Sequence, residues 1–192
     1  MASDVDICNQ ALDMVGAETI AALGEASAGG RACQGLYPQA RDALLALHPW
    51  RFAMTRQVLA RLEESPPSDW SLIYALPSDC LAARYLEAPS RTTLGPSTRF
   101  EVRADRLLTD LADAVLIYSR RIEAAGHFDP LFVESLAALL AVRLGAALRV
   151  DGDLMREAQR GYQLALGQAR AVDANQASNR DQWEAEWIEA RS

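Results

Sequence analysis

Apolar positions recur at helical spacing at both ends of the chain and lose that period in the middle. Val5, Cys8, Leu12 and Val15 follow one another at three- and four-residue intervals, the signature of one face of an α-helix. Ser3 stands before them as an N-cap, Asp6 brings a carboxylate to the positive end of the helix, and Gly16 suits a left-handed stop. A loose, small-residue stretch over 17–30 leads to a second predicted helix over 31–48, with Leu36, Ala40, Leu44 and Leu47 on one stripe. Pro38 lies inside it and is expected to kink the helix or to open its second half. His48-Pro49-Trp50 ends the run, because a residue before proline avoids the α region.

Over 52–121 the helical period fades, and Pro66-Pro67 and Leu76-Pro77-Ser78 punctuate the chain as turns. Short extended segments are predicted at 72–74, 82–86, 100–103, 106–109 and 114–122. In the last, Val115, Ile117 and Ser119 alternate with Leu116, Tyr118 and Arg120, as in a strand covered on both faces. Ala104-Asp105 reads as a tight hairpin turn, although it lacks the glycine of the strongest hairpin signal. The segment 88–98, with two prolines and a glycine, reads as an exposed excursion.

The helical period then returns. Asp129 is placed to cap a helix whose first residue is Pro130, and Val133, Leu136, Ala137, Leu140, Leu144 and Leu148 build a wide apolar face down to Arg149. Asp151-Gly152-Asp153 makes a short turn into a last helix carrying Leu154, Ala158, Tyr162, Ala165, Ala169 and Val172. So short a connection makes the two helices antiparallel neighbours. From Asp173 onward the chain is polar except for Trp183, Trp187 and Ile188. No helix buries its stripe alone, so distant helices must close one bundle. The expected fold is α+β: a bundle of about four helices over 1–51 and 123–178, a small antiparallel sheet inserted over 52–122, and a C-terminal arm over 179–192.

Composition narrows the function. Half of the 192 residues are hydrophobic and 23% are charged, an ordinary globular balance. All 19 basic residues are Arg, a coding bias that goes with heavy use of Ala. The net charge of −7 argues against sustained affinity for nucleic acid or an anionic membrane surface, both of which call for basic patches. No secretory leader is visible at the N-terminus, and the apolar run 136–142 is too short to span a bilayer, so a soluble chain made in the cytoplasm is expected.

Motifs of catalysis are not found. Cys8, Cys33 and Cys80 are odd in number, form no CxxC pair, and are expected to be reduced packing residues. His48 and His127 have no second ligand at metal spacing. Gly29-Gly30 reads as a flexible hinge rather than an anion cradle, since no strand precedes it and no Lys is near. Asp69, Asp79, Asp105, Asp110 and Asp113 fall in the sheet region, where Asp is a standard turn residue. Trp50 and Trp70 are expected in the core. Trp183 and Trp187 lie beyond the packed helices, where an aromatic pair marks a contact surface, and with Ile188 they are the candidate partner-binding residues.

Several segments carry a family resemblance. Ile7-Cys8-Asn9-Gln10-Ala11-Leu12 with Val15-Gly16-Ala17, the run from Tyr37 to Leu45, and His48-Pro49-Trp50 with Phe52-Ala53 resemble the opening of the tail tubular protein A family, the head-to-tail adaptors of short-tailed bacteriophages. The run 76–81, Phe100-Glu101-Val102 and the run 105–110 are similar to its sheet segments, and the run 128–134 to the start of its long helix. The matches keep their order over roughly residues 7–170, whereas residues 179–192 match no pattern of the family. The resemblance implies a helical bundle with an inserted β-region, assembled as a dodecameric ring at the head–tail junction of the virion. It implies the portal protein and a tail nozzle of the tail tubular protein B type as partners, and double-stranded DNA passing through the lumen without specific binding. It implies neither an enzyme nor a cofactor. Two other classes stand beside it: an unrelated cytoplasmic helical interaction protein, and a virion-associated hydrolase working through a carboxylate pair.

Overall fold

The computed structural model describes residues 2–67, 69–87 and 99–189, with side chains through Gln176. The fold is α+β. Among the described residues there are four α-helices and six strands, in the order α1 (Asp4–Met14), α2 (Ala28–Leu47), β1 (Met54–Val58), β2 (Leu72–Ala75), β3 (Cys80–Glu87), β4 (Phe100–Arg103), β5 (Arg106–Thr109), β6 (Val115–Arg120), α3 (Pro130–Leu148) and α4 (Gly152–Glu189). They divide into two compact units. One is helical, comprising Met1–Leu44, Trp50–Phe52 and Ile122–Ser192; the other comprises Leu45–Pro49 and Ala53–Arg121.

In the helical unit, α1 opens on a full capping box. The Asp6 backbone N–H donates to Ser3 Oγ at 3.1 Å, and the Ser3 backbone N–H donates to Asp6 Oδ2 at 2.8 Å. Ile7, Cys8, Ala11 and Leu12 form its buried face, and Gly16 follows at φ +67°, the left-handed stop its position predicts. Asn9 then clamps the next segment with both ends of its amide, accepting from the Ile20 N–H at 2.8 Å and donating to the Ile20 carbonyl at 3.0 Å. This holds Ile20 in the core.

The glycines expected to form a hinge lie inside α2. Ser27 Oγ accepts from the Gly30 N–H at 2.9 Å and donates to Glu25 Oε1 at 2.8 Å, so Ser27 serves as the helix cap. A Cβ on Gly30 would stand 2.8 Å from the Glu25 carbonyl, so close approach rather than flexibility selects glycine there. Pro38 leaves α2 continuous. The carbonyl it deprives is that of Gln34, an exposed position of the helix.

Helix α3 is largely apolar, with Glu134 and Arg143 its charged residues, and it packs against both α1 and α4. It is long and apolar enough to cross a bilayer on length and composition, with a mean hydropathy of 1.9, and half of that stretch is buried inside the protein. Such a pattern is that of a core helix. Its end is unusual: Arg149, at φ 58° and ψ 45°, takes the left-handed position commonly filled by glycine.

The β-unit holds two three-stranded antiparallel sheets, ordered β1-β6-β3 and β2-β5-β4, where the sequence suggested one. Leu86, Leu116 and Tyr118 of the first sheet meet Tyr74 and Leu107 of the second in one core. Trp70, Ile73 and Leu108 form a smaller cluster with Leu62. Because side chains alternate along a strand, adjacent residues of β5 serve both clusters. Strand β1 is an addition to the sequence prediction. It pairs with β6 from Met54↔Ser119 to Val58↔Val115 and is exposed toward its end. Ala104 turns the β4–β5 hairpin at φ 53°. The excursion expected over 88–98 lies outside the described residues.

Candidate functional site

The aromatic centre of the helical unit is built where α2 has ended and α3 begins. Pro130 sets the first turn of α3 and brings Phe132 against Trp50, the rings edge-on with centroids 5.2 Å apart. Phe52 and Phe128 lie 5.1 and 4.9 Å from the same Phe132 ring. Trp50 is 2% exposed, and its indole N–H donates to the Leu44 carbonyl at 2.7 Å. The indole therefore has its polar partner and serves as a wall.

Asp173 closes one side of this cluster. Only 8% exposed, it accepts the Arg51 backbone N–H at 3.0 Å, bridging positions 122 apart in sequence. Facing it is Asp129, which precedes α3 in extended geometry yet makes no side-chain capping bond. Burial, and after it the negative charge of Asp173, raises the Asp129 carboxyl above its ordinary range. The two carboxylates and Gln176 line a cleft of about 270 Å³ whose other walls include Trp50, Leu131, Phe132 and Val172. Two guanidinium nitrogens of the unit, Arg51 Nη1 and Arg170 Nε, are buried without a hydrogen-bond partner. Neither residue lines the cleft.

This cleft was not legible in the sequence. Trp50 read as core and Asp129 as a simple cap, whereas Asp173 read as the start of a polar tail. The available signal was spacing: Tyr162, Ala165, Ala169 and Asp173 continue one helical stripe.

The second candidate site is the end of α4. The helix does not stop near Val172 but runs unbroken to Glu189, thirteen residues past Gln176 and about 20 Å further at 1.5 Å per residue. Positions 183 and 187 are one turn apart on it and 188 adjoins them. The side chains of Trp183, Trp187 and Ile188 lie outside the described residues. The arm expected over 179–192 is thus, through Glu189, the continuation of α4. Its helix is propagated from the packed part, and no separate nucleus is required.

The residues weighed for catalysis are dispersed. Asp69, Asp79, Asp105, Asp110 and Asp113 each sit in a turn or bend. Asp79 accepts from the Tyr118 hydroxyl at 2.9 Å, and Asp110 accepts from the Ser71 N–H and hydroxyl at 2.9 and 2.8 Å. His48 is half-buried and His127 exposed. No group of three or more His, Cys, Asp or Glu placed to hold a metal ion occurs among the described residues. The three cysteines are free thiols; Cys8 and Cys33 are buried and Cys80 half-buried. Burial pushes all three thiols up, so they stay protonated near neutrality.

Charge is divided unevenly. The β-unit carries nine Arg against nine Asp and Glu, whereas the helical unit carries ten against seventeen. The whole net charge of −7 therefore belongs to the helical unit.

The fold defines an α+β protein in which a β-unit is inserted into a helical one, with an aromatic-walled acidic cleft and a long terminal helix. No protein-family model matches the chain, and no curated protein matches it in sequence.

Proposed function

We propose that this chain is a structural subunit of a bacteriophage virion, the head-to-tail adaptor that joins the portal to the tail nozzle of a short-tailed phage. The observation that carries the reading is the ordered series of sequence segments that resemble the tail tubular protein A family. The run 7–12 falls in α1, 37–45 in α2, 100–102 and 105–110 on the two arms of the β4–β5 hairpin, and 128–134 at the start of α3. An inserted β-region in a helical unit accords with the architecture the resemblance implies.

Twelve copies close a ring below the portal, and the genome passes through its lumen without specific binding. The acidic helical unit is compatible with such a conduit, because few fixed cations means little sustained affinity for phosphates. The subunit performs no chemistry and needs no cofactor. Trp183, Trp187 and Ile188, on the last turns of α4, are the anchors toward the portal, in the manner of a helix laid into a groove.

Sedimentation with the portal protein of the same genome tests the reading. The isolated chain should remain small, and addition of the portal ring should convert it into a single large complex. A chain that ignores the portal at micromolar concentrations, with both partners folded, overturns the assignment and favours the unrelated interaction protein.

A further inference from the structure

The facing sides of α1 and α2 form a ladder of matched positions. The Tyr37 hydroxyl donates to Asp4 Oδ1 at 2.8 Å, and a Cβ on Gly29 would stand 3.4 Å from Leu12 Cδ2. Positions 4, 8 and 12 follow one another by about a helical turn on α1, and 37, 33 and 29 do so in reverse on α2. The two helices are therefore antiparallel along this face, and Cys8 and Cys33 share the rung between the two observed contacts. Each step is about 6 Å on both helices, so the two contacts define one register. Both thiols are buried, at 0% exposure, and each perturbs the ionisation of the other. Gly29, which has no side chain, lets the backbones come close one turn away. The third cysteine, Cys80, lies on β3 in the β-unit.

We propose that Cys8 and Cys33 are an oxidation site, converted by peroxide in the folded protein into a disulfide that staples α1 to α2. Helix axes pack about 8–10 Å apart, and each backbone has a radius of about 2.3 Å. Facing Cα atoms therefore stand close to the roughly 4.4–6.8 Å that a disulfide spans. The reaction needs one peroxide. The thiolate of one cysteine attacks it, an S–O bond forms as the O–O bond breaks, and the released hydroxide takes up the thiol's proton as water. The second sulfur then attacks the sulfenic sulfur, the S–S bond forms, and the hydroxyl leaves with the second thiol's proton as another water. Two thiols are oxidised and one peroxide is reduced to two waters. Burial raises both thiols above their ordinary range, which slows the first step and keeps the pair reduced where peroxide is scarce. The second step is fast, because the partner sulfur is already in place.

Cys80→Ser leaves Cys8 and Cys33 as the remaining thiols and serves as the parent for the test. Thermal melting first confirms that the reduced parent, and Cys33→Ala or Cys8→Ala in the same background, are folded. Each protein is then exposed to hydrogen peroxide, quenched, denatured, alkylated and weighed. The parent should lose two hydrogens, resist alkylation at both positions and yield a peptide joining Cys8 to Cys33 within one chain. Closing a loop of about 25 residues should raise its Tm by about 5–10 °C, and a dithiol reductant should reverse both changes. The single-cysteine variants should show neither an internal bridge nor a gain in Tm. Thiols of the folded parent that stay open to alkylation, take up oxygen without losing hydrogen, or bridge only between chains overturn the proposal. Refolding the parent from urea in a glutathione redox buffer then separates the two causes of failure. A bridge formed there means that peroxide cannot reach the pair, and its absence means that the two sulfurs do not meet.

Discussion

At the scale of single residues, the start of α2 is held by backbone contacts to Glu25 and Ser27. Gly30 is fixed by the Glu25 carbonyl 2.8 Å from where a Cβ would stand, and a backbone atom yields less readily than a side chain. Gly30→Ala should therefore cost about 1–3 kcal/mol, the usual penalty for crowding a packed site, read as a fall in the urea midpoint. If flexibility alone selected glycine there, alanine would raise stability instead. Glu25 is the second determinant. Its carboxylate accepts the Ser27 hydroxyl and the Ala21 and Ala22 N–H groups, and these bonds, Ser27's first, hold its pKa below the ordinary glutamate range. A carboxyl with a depressed folded value contributes stability that is present above its unfolded pKa, near 4.3, and lost as pH falls through the folded value. Amide protection at Ala21 and Ala22, relative to the intrinsic exchange rate, should fall once pH drops below the ordinary glutamate range. Glu25→Gln should abolish that pH dependence, and an unchanged profile in the variant would assign it to another group. None of this was legible in the sequence, where the Ala- and Gly-rich stretch reads as slack; the order arises from backbone partners that no side-chain pattern reports.

At the scale of elements, the sequence was informative wherever a stripe meets a core, and poor where pairing alone makes the structure. The helices α1 and α3 and the β4–β5 hairpin stand where caps, prolines and alternation place them. Strand β1 escaped notice because Thr55, Arg56 and Gln57 carry no apolar alternation; it exists through its pairing with β6. Division of the β-unit into two sheets was hidden for a similar reason, since alternation tells which residues face a core but not which strands share a sheet. The length of α4 was underestimated because its polar continuation has no stripe to read. That continuation makes a definite prediction. Changing Trp183 and Trp187 together to Ala should leave the melting temperature of the isolated subunit within error and weaken portal binding steeply, since buried aromatic anchors are worth about 2 kcal/mol or more each. A lowered melting temperature with portal binding intact would mean that these residues cover the subunit's own surface.

At the scale of the whole molecule, the uneven charge and the long terminal helix bear on the proposed adaptor ring. The helical unit carries the full acidic excess, the cleft of Asp129 and Asp173, and the long terminal helix, while the β-unit is balanced. A ring subunit needs a contact for its neighbours in the ring and another for the structure on which the ring is built. In the proposed adaptor, the end of α4 is assigned to the second. The most direct test is the number of copies bound to one portal ring, counted by native mass spectrometry of the saturated complex. The adaptor account predicts twelve, with no partial occupancy once the subunit is in excess. A saturated complex holding a clearly different number, or a graded series of occupancies that never closes, would contradict it.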